Sequence, residues 1–248
     1  MIDFKYAIYL GLFLLLGTGC TPKVNHLAYT QERVYRIDER EIDIDPSVEE
    51  IIAPYRENLA KTMHVVIANS SEEIYKEKPN SALLNFMADI LLEGARMETG
   101  RNDIDLAIQN YGGIRVTSLP KGNITRGNIY ELMPFDNTIV IMETPGSELK
   151  LLLDRIADYG GWPISKGTSF KIIDERYADS IYVNHQPFDI NKTYVLALPD
   201  YIANGGDKTD FFHTSKKTDT GILIRDIIIK RLEDWGKVPI NHEIRIFE

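Results

Sequence analysis

The stretch Ile104-Asp105-Leu106-Ala107-Ile108-Gln109-Asn110-Tyr111-Gly112-Gly113-Ile114-Arg115 runs from a short apolar segment straight into a turn with paired glycines. Ile104 to Ile108 reads as a strand, and the turn that follows can take positive φ and let the backbone approach a ligand closely. Asn110 offers a donor and an acceptor, and Arg115 a planar fork suited to a carboxylate or phosphate. The same pattern returns in Leu198-Pro199-Asp200-Tyr201-Ile202-Ala203-Asn204-Gly205-Gly206-Asp207, where a strand again enters a loop with paired glycines, an aromatic ring, an amide and a carboxylate. Between them, Leu132-Met133-Pro134-Phe135-Asp136-Asn137 closes a short helix, with Pro134 fixing a loop able to present Phe135 outward. Taken singly, each stretch is also what an ordinary tight turn beside a surface charge looks like. Two rings on separate loops, Phe135 and Tyr201, can sandwich a nucleobase, an interaction of ~1–3 kcal/mol per base that tolerates every base. Asp207 then stands to accept from sugar hydroxyls.

Outward from these loops the chain alternates helices and strands. Asp45-Pro46 opens an amphipathic helix of about four turns, Asp45 capping it and Val48, Ile51, Ile52, Tyr55 and Leu59 following at spacings of three and four. A second helix starts near Asn80-Ser81 with an apolar stripe from Leu84 to Ala95 and ends before Gly100. Further helices are expected over Gly127 to Met133, Ser147 to Tyr159 and Thr220 to Trp235. Strands are expected at Val34 to Ile37, Thr138 to Glu143, Ser169 to Ile173, Ile181 to Val183, Thr193 to Leu198 and Ile244 to Phe247. There is no internal repeat and no second Gly-, Ser- or Pro-rich linker. The expectation is a single mixed domain of the α+β (layered α/β) class, helices packed on mixed β-sheets.

Composition narrows the classes. The 248 residues give a prior of one to two domains with ample length for a core, and 44% hydrophobic with 26% charged residues excludes a long disordered chain or a multi-span membrane protein. Lys and Arg total 28 against 37 Asp and Glu, a net charge of −9, so no nucleic-acid partner is expected and any anion site must be local. The single cysteine, Cys20, rules out internal disulfides and cysteine-built metal sites.

Cys20 gains meaning from what precedes it. Lys5, an apolar run from Ala7 to Leu16 and the small residues Gly17-Thr18-Gly19 make a signal peptide too short to remain as a membrane span. Small residues before a lone cysteine resemble a bacterial lipobox, with Leu16 one place further back than the usual aliphatic. The expected organisation is a signal peptide over 1–19 cleaved before a lipidated Cys20, a tether over 20–33 and a folded domain over 34–248. The chain would then be anchored in the bacterial cell envelope, on a periplasmic or surface face. Ordinary secretion with an incidental cysteine is the alternative.

Asn-x-Gly-Gly-Ile-Arg, then Pro-Phe-x-Asn-Thr, then Ala-Asn-Gly-Gly-Asp, in that order, resemble the C-terminal substrate-binding domain of the 5′-nucleotidase family. Ile42 to Pro46, Ala53-Pro54-Tyr55 and Asn85 to Asp89 fall in the same family order, so the resemblance covers about residues 28 to 248. It implies that Phe135 and Tyr201 stack on the two faces of a nucleobase and that Asn110 and Arg115 contact base and phosphate. It further implies that Asp207 holds the ribose, while Gly112, Gly113, Asn204, Gly205 and Gly206 shape the loops. Two positions depart from the family pattern. Tyr111 stands where a third glycine is usual, and Lys76-Glu77-Lys78 stand where an arginine is used.

Family members that hydrolyse nucleotides do so at a two-metal centre in a separate N-terminal phosphatase domain. Of His26, His64, His185, His213 and His242, none forms an Asp-x-His or His-x-His pair, and Asn241-His242-Glu243 resembles only an isolated phosphatase fragment. No catalytic residue, metal or cofactor is therefore expected in this chain; divalent metals would come with a separate metallophosphatase chain. The expected function is the nucleotide-recognition half of a split 5′-nucleotidase. The alternatives are a non-catalytic lipoprotein that binds nucleosides or nucleotides, and a fold retained after its pocket decayed.

Overall fold

The computed structural model describes residues 45–248, of which residues 50–248 form one compact unit. The signal segment, Cys20, the tether and the expected strand at Val34 to Ile37 lie outside the described residues. In chain order the elements are helix α1 (Pro46–Met63), strands β1 (Val66–Ser70) and β2 (Ile74–Tyr75), helix α2 (Ala82–Thr99), and strands β3 (Leu106–Ala107), β4 (Ser118–Leu119) and β5 (Gly122–Thr125). Helix α3 (Arg126–Leu132), strand β6 (Thr138–Pro145) and helix α4 (Gly146–Asp158) follow, then strands β7 (Ser169–Ile173), β8 (Tyr177–Val183), β9 (Gln186–Pro187) and β10 (Thr193–Pro199). The one-turn helix α5 (Asp200–Ala203), strand β11 (Lys216–Leu223), helix α6 (Ile224–Trp235) and strand β12 (Ile246–Phe247) complete the order.

The central sheet has the order β11-β6-β10-β3, with β6 antiparallel to both its neighbours and β10 parallel to β3. Its middle strands are apolar on both faces because both faces are covered. Ile139 and Ile141 of β6 and Ala197 of β10 face a cluster built with α2, α3 and α6. The alternate residues Val140, Met142, Leu196 and Leu198 face a second cluster, with Leu149, Leu152, Leu153 and Ile156 of α4 and Phe170, Ile181 and Val183 of a second sheet. That sheet runs β12-β7-β8-β9. The result is a mixed α/β layering, with β3 and β10, parallel to each other, ending at the same end of the central sheet.

Helix boundaries follow capping chemistry. Ser81 accepts from the Leu84 N–H, and Gly100 closes α2 in the left-handed conformation. Thr125 and Asn128 form a reciprocal capping box at the start of α3. At the start of α1 the Asp45 carboxylate accepts from the Ser47 N–H at 2.9 Å. Strands β1, β2, β4, β5, β9 and β11 were not expected from the sequence, and the strand expected at Ile104 to Ile108 is confined to Leu106–Ala107; two further features also differ. Residues 220–223 end β11 rather than starting the last helix, because Gly221 (φ 68°) sits in an irregularity of the β6 pairing and the helical turn begins only at Ile224. The apolar stripe of α1 is not turned inward: none of the helix's residues is buried.

Asn85 and Asp89, from the α2 segment that carries part of the family order, hold the C-terminal strap. Asn85 Nδ2 donates to the carbonyls of Asn241 and Glu243, both at 2.9 Å. Asp89 takes both terminal nitrogens of the buried Arg245, each at 2.8 Å. His242 meets Glu72 at 2.8 Å, and among the described residues no group of three or more His, Cys, Asp or Glu is placed to hold a metal ion.

Candidate nucleotide-binding site

Three loops meet at one end of the central sheet, beyond the ends of β3 and β10 and before the start of β6. The first leaves β3 through Gln109 and Asn110 into a single 3-10 turn, Tyr111–Gly113. Asn110 is buried, and its side chain is satisfied at both ends: Oδ1 accepts from Gln109 Nε2 at 3.0 Å, and Nδ2 donates to Asp207 Oδ2 at 2.8 Å. At Gly113 a Cβ would crowd the Gln109 and Asn110 side-chain ends, so a larger residue there would have to displace the amides that fix this turn. The turn thus fixes the carboxamide from behind and leaves Arg115, exposed, at its far end.

The third loop follows β10. After α5, Gly205 takes φ 96°, and Gly206 passes beneath the Tyr201 ring, where a Cβ would lie 2.5 Å from ring carbons. Asp207 itself adopts a left-handed conformation (φ 52°, ψ 32°), which a non-glycine residue holds only under external constraint. The constraints are visible. Its N–H donates to the Tyr201 hydroxyl at 3.3 Å, its carbonyl accepts from Arg155 Nε at 2.8 Å, and Tyr201 Oη donates to Oδ1 at 3.2 Å. Further along the chain, Glu148 at the start of α4 accepts from the Thr214 N–H at 2.9 Å and from the Thr214 and Ser215 hydroxyls at 2.8 and 2.6 Å. Burial raises the Glu148 pKa, but these hydrogen bonds outweigh it and hold the carboxyl below its ordinary value.

The second loop follows α3. The backbone N–H of Arg115 donates to the Leu132 carbonyl at 3.0 Å, tying the first loop to the second. From the other side the buried Arg225 of α6 donates to the carbonyls of Met133 and Phe135, at 3.3 and 3.4 Å, and pairs with Asp136. The Phe135 ring is left 42% exposed, with the Arg115 guanidinium 5.6 Å from its centroid.

Asn110, Gly112, Gly113, Arg115, Phe135, Asn137, Tyr201 and Asp207 line one cavity of about 320 Å³. Both rings are exposed into solvent and lie on this common wall, Tyr201 at 47%. Seven residues named from the sequence are therefore brought together. Asn204, Gly205 and Gly206 shape the loop without lining the cavity. Asn137 was not assigned from the sequence, although it lies inside the Pro-Phe-x-Asn-Thr motif. Arg155 and Arg225, which hold Asp207 and the Phe135 loop, were also missed; arginines in helices read from sequence as surface charges.

Both departures from the family pattern have a structural place. Tyr111 does not line the cavity; its ring packs between Lys76 Nζ, 3.9 Å from the centroid, and Lys78 Nζ, 4.8 Å away, with Tyr159 at 6.1 Å. Lys76 Nζ donates to the Ile114 carbonyl at 2.7 Å, next to Arg115. Burial, then the neighbouring Arg115 and Lys78 charges, push the Lys76 pKa down; burial and Arg155 do the same to Lys78. Burial pushes the Tyr111 phenol up.

Comparison with known proteins agrees with this arrangement. Residues 60–214 match the family described as 5′-nucleotidase, C-terminal domain. A protein UshA of Yersinia enterocolitica is 26% identical over 239 residues, covering 93% of this chain and 42% of its own length. A 5′-nucleotidase of Vibrio parahaemolyticus is 24% identical over 232 residues, covering 92% of this chain and 40% of that protein. A crystal structure of a 5′-nucleotidase precursor from Thermus thermophilus superposes with a TM-score of 0.68 at 27% identity, over 81% of this chain and 43% of the other. The chain thus spans about two fifths of the relatives it matches. Three loops converging on one cavity, two of them marked by glycine pairs, and a family match over most of the folded unit establish that this chain belongs to the 5′-nucleotidase C-terminal domain family.

Proposed function

We propose that the chain is the nucleotide-recognition half of a 5′-nucleotidase, working with a metallophosphatase on a separate polypeptide. The observation that carries this reading is the common cavity wall: Phe135 and Tyr201, 66 positions apart in the sequence, are both exposed on it beside Arg115, Asn110 and Asp207. The two rings clamp the base, Asp207 accepts from ribose hydroxyls with the lone pairs that Asn110 and Tyr201 leave free, and Arg115 meets the remaining anionic groups. Asn110 turns its fixed carboxamide toward the base. Divalent metals, brought by the phosphatase chain, supply the activated water and the phosphoryl clamp; this chain binds and orients. We further propose that Cys20 is the lipidated N-terminus of an envelope-anchored protein, for which fatty-acid labelling lost in Cys20→Ala is the check.

The test measures phosphate release from adenosine monophosphate with this chain, with a secreted metallophosphatase chain lacking its own C-terminal domain, and with both. Release only from the mixture supports the two-chain enzyme. Release from this chain alone, after chelation and re-metallation, contradicts it, and nucleotide binding with no phosphatase able to raise hydrolysis makes the chain a binding lipoprotein.

A further inference from the structure

We propose that Arg155 is a positioning residue that makes the cavity selective for ligands carrying sugar hydroxyls, an inference that rests on the reading of Asp207 as the sugar acceptor. Residues 205–208 follow an unusual backbone path: Gly205 (φ 96°), Asp207 (φ 52°) and Lys208 (φ 67°) are all left-handed, and only the first is a glycine. A residue with a side chain tends to leave that region when released, because its Cβ crowds the following carbonyl oxygen there. The far end of the turn is held by Thr209, whose hydroxyl lies 2.7 Å from the carbonyls of both Ile202 and Gly206. Asp207 itself is tied on both sides of its Cα. Its N–H donates to the Tyr201 hydroxyl at 3.3 Å, within the same loop, whereas its carbonyl accepts from Arg155 Nε at 2.8 Å, 52 positions away on α4.

Two pinned peptide groups fix the Cα–Cβ direction and so decide where the carboxylate stands. The consequence falls on its acceptors. Oδ2 takes the Asn110 amide at 2.8 Å and Oδ1 the Tyr201 hydroxyl at 3.2 Å, one partner each among the described residues. A carboxylate oxygen has two lone pairs, so each keeps one for a ligand, and two adjacent sugar hydroxyls are the group that uses both. Arg155 does not line the cavity and is suited to holding rather than binding. Its side chain is only 15% exposed, its Nη1 pairs with Asp158 at 3.0 Å, and its guanidinium lies 5.5 Å from the centroid of the Tyr159 ring. That ring is fixed in turn by Lys78 Nζ, 3.6 Å from its centroid, and by Trp162 at 6.0 Å. The Nε–H aimed at the Asp207 carbonyl is thus carried by a side chain with little freedom to leave. Tyr201 does not depend on this bond for its own place, because it stands on α5, which Ile202 and Ala203 anchor in the core. Losing the Arg155 donor should therefore release the carboxylate and spare the stacking ring.

The experiment titrates adenosine and 2′,3′-dideoxyadenosine into the full chain and two variants by calorimetry. In Arg155→Gln an amide nitrogen falls at the chain position of Nε and still donates; in Arg155→Met a methyl group falls there and does not. The parent is expected to prefer adenosine by about tenfold or more, since hydrogen bonds to a charged group are the stronger kind. In Arg155→Met the two nucleosides should bind within about twofold of each other, with dideoxyadenosine within about threefold of its affinity for the parent. Arg155→Gln should keep a preference within about threefold of the parent's. A preference unchanged in Arg155→Met overturns the proposal, and so does an equal loss for both ligands, which is what a mere brace of the fold gives. A preference lost as completely in Arg155→Gln as in Arg155→Met overturns the Nε–H as the positioning group. If the parent itself does not distinguish the two nucleosides, the reading of Asp207 fails first and this inference with it. Should Arg155→Met not fold, Arg155→Ser, polar and too short to reach the carbonyl, takes its place under the same outcomes.

Discussion

Asn110 Nδ2 donates to Asp207 Oδ2 at 2.8 Å, joining the two glycine loops across 97 residues of sequence. The bond makes the carboxylate part of the scaffold as well as part of the cavity wall. Asp207→Ala is expected to abolish nucleoside binding and to destabilise the fold by about 1–3 kcal/mol, because the buried Asn110 amide loses its acceptor. Asp207→Gly loses the same contacts but tolerates the left-handed backbone, so it should be more stable than the alanine variant by about 1 kcal/mol. Denaturant unfolding compared with calorimetric titration separates the two effects.

Arg225 sets the Phe135 loop from beneath. Arg225→Met keeps much of the buried volume but removes the donors to the Met133 and Phe135 carbonyls, and is expected to cost about 1–3 kcal/mol of stability. Base binding should weaken in the folded fraction as the ring loses its fixed direction. Titration of the variant at a temperature where circular dichroism shows it folded is the check.

Glu148 gives the loop behind Asp207 an acid sensitivity. Its carboxyl titrates below its ordinary 4.5 in the folded chain, so the ionised form contributes stability that is fully present above 4.5 and is lost as pH falls through the folded value. Unfolding measured from neutral to acid pH should show this loss in the parent chain and a shallower one in Glu148→Gln.

Lys76 and Lys78 are expected to distinguish a nucleotide from a nucleoside. Lys76→Met should weaken adenosine monophosphate more than adenosine, which should stay within about twofold of the parent. Because both lysines titrate below their ordinary 10.5, the preference for the monophosphate should fade as pH rises through the lowered values, before 10.5 is reached. Paired titrations of the two ligands across that range measure it.

The layered fold was legible where periodicity and caps coincide. Ser81 and Gly100 marked helix ends, and the apolar runs of β6 and β10 marked strands buried on both faces. What escaped has physical reasons. Strand β11 opens Lys216-Lys217-Thr218-Asp219, a charged edge strand paired on one side only, which has no alternation to read. Strands β2 and β4 have two residues each, too few for any pattern. The stripe of α1 announced a helix correctly but not what covers it, since periodicity reports a face and not its partner. At the site, glycine pairs and aromatics in loops were conspicuous. Arg155 and Arg225 were not, because their role depends on contacts 52 and about 90 residues away.

The account turns on a base held between Phe135 and Tyr201, and titrating adenosine monophosphate into the parent chain, Phe135→Ala, Tyr201→Ala and the double variant tests it most directly. The expected result is binding by the parent, a loss of ~5- to ~150-fold in each single variant, from ~1–3 kcal/mol of stacking per ring, and no measurable binding in the double. Binding that survives unchanged in the double variant would contradict it.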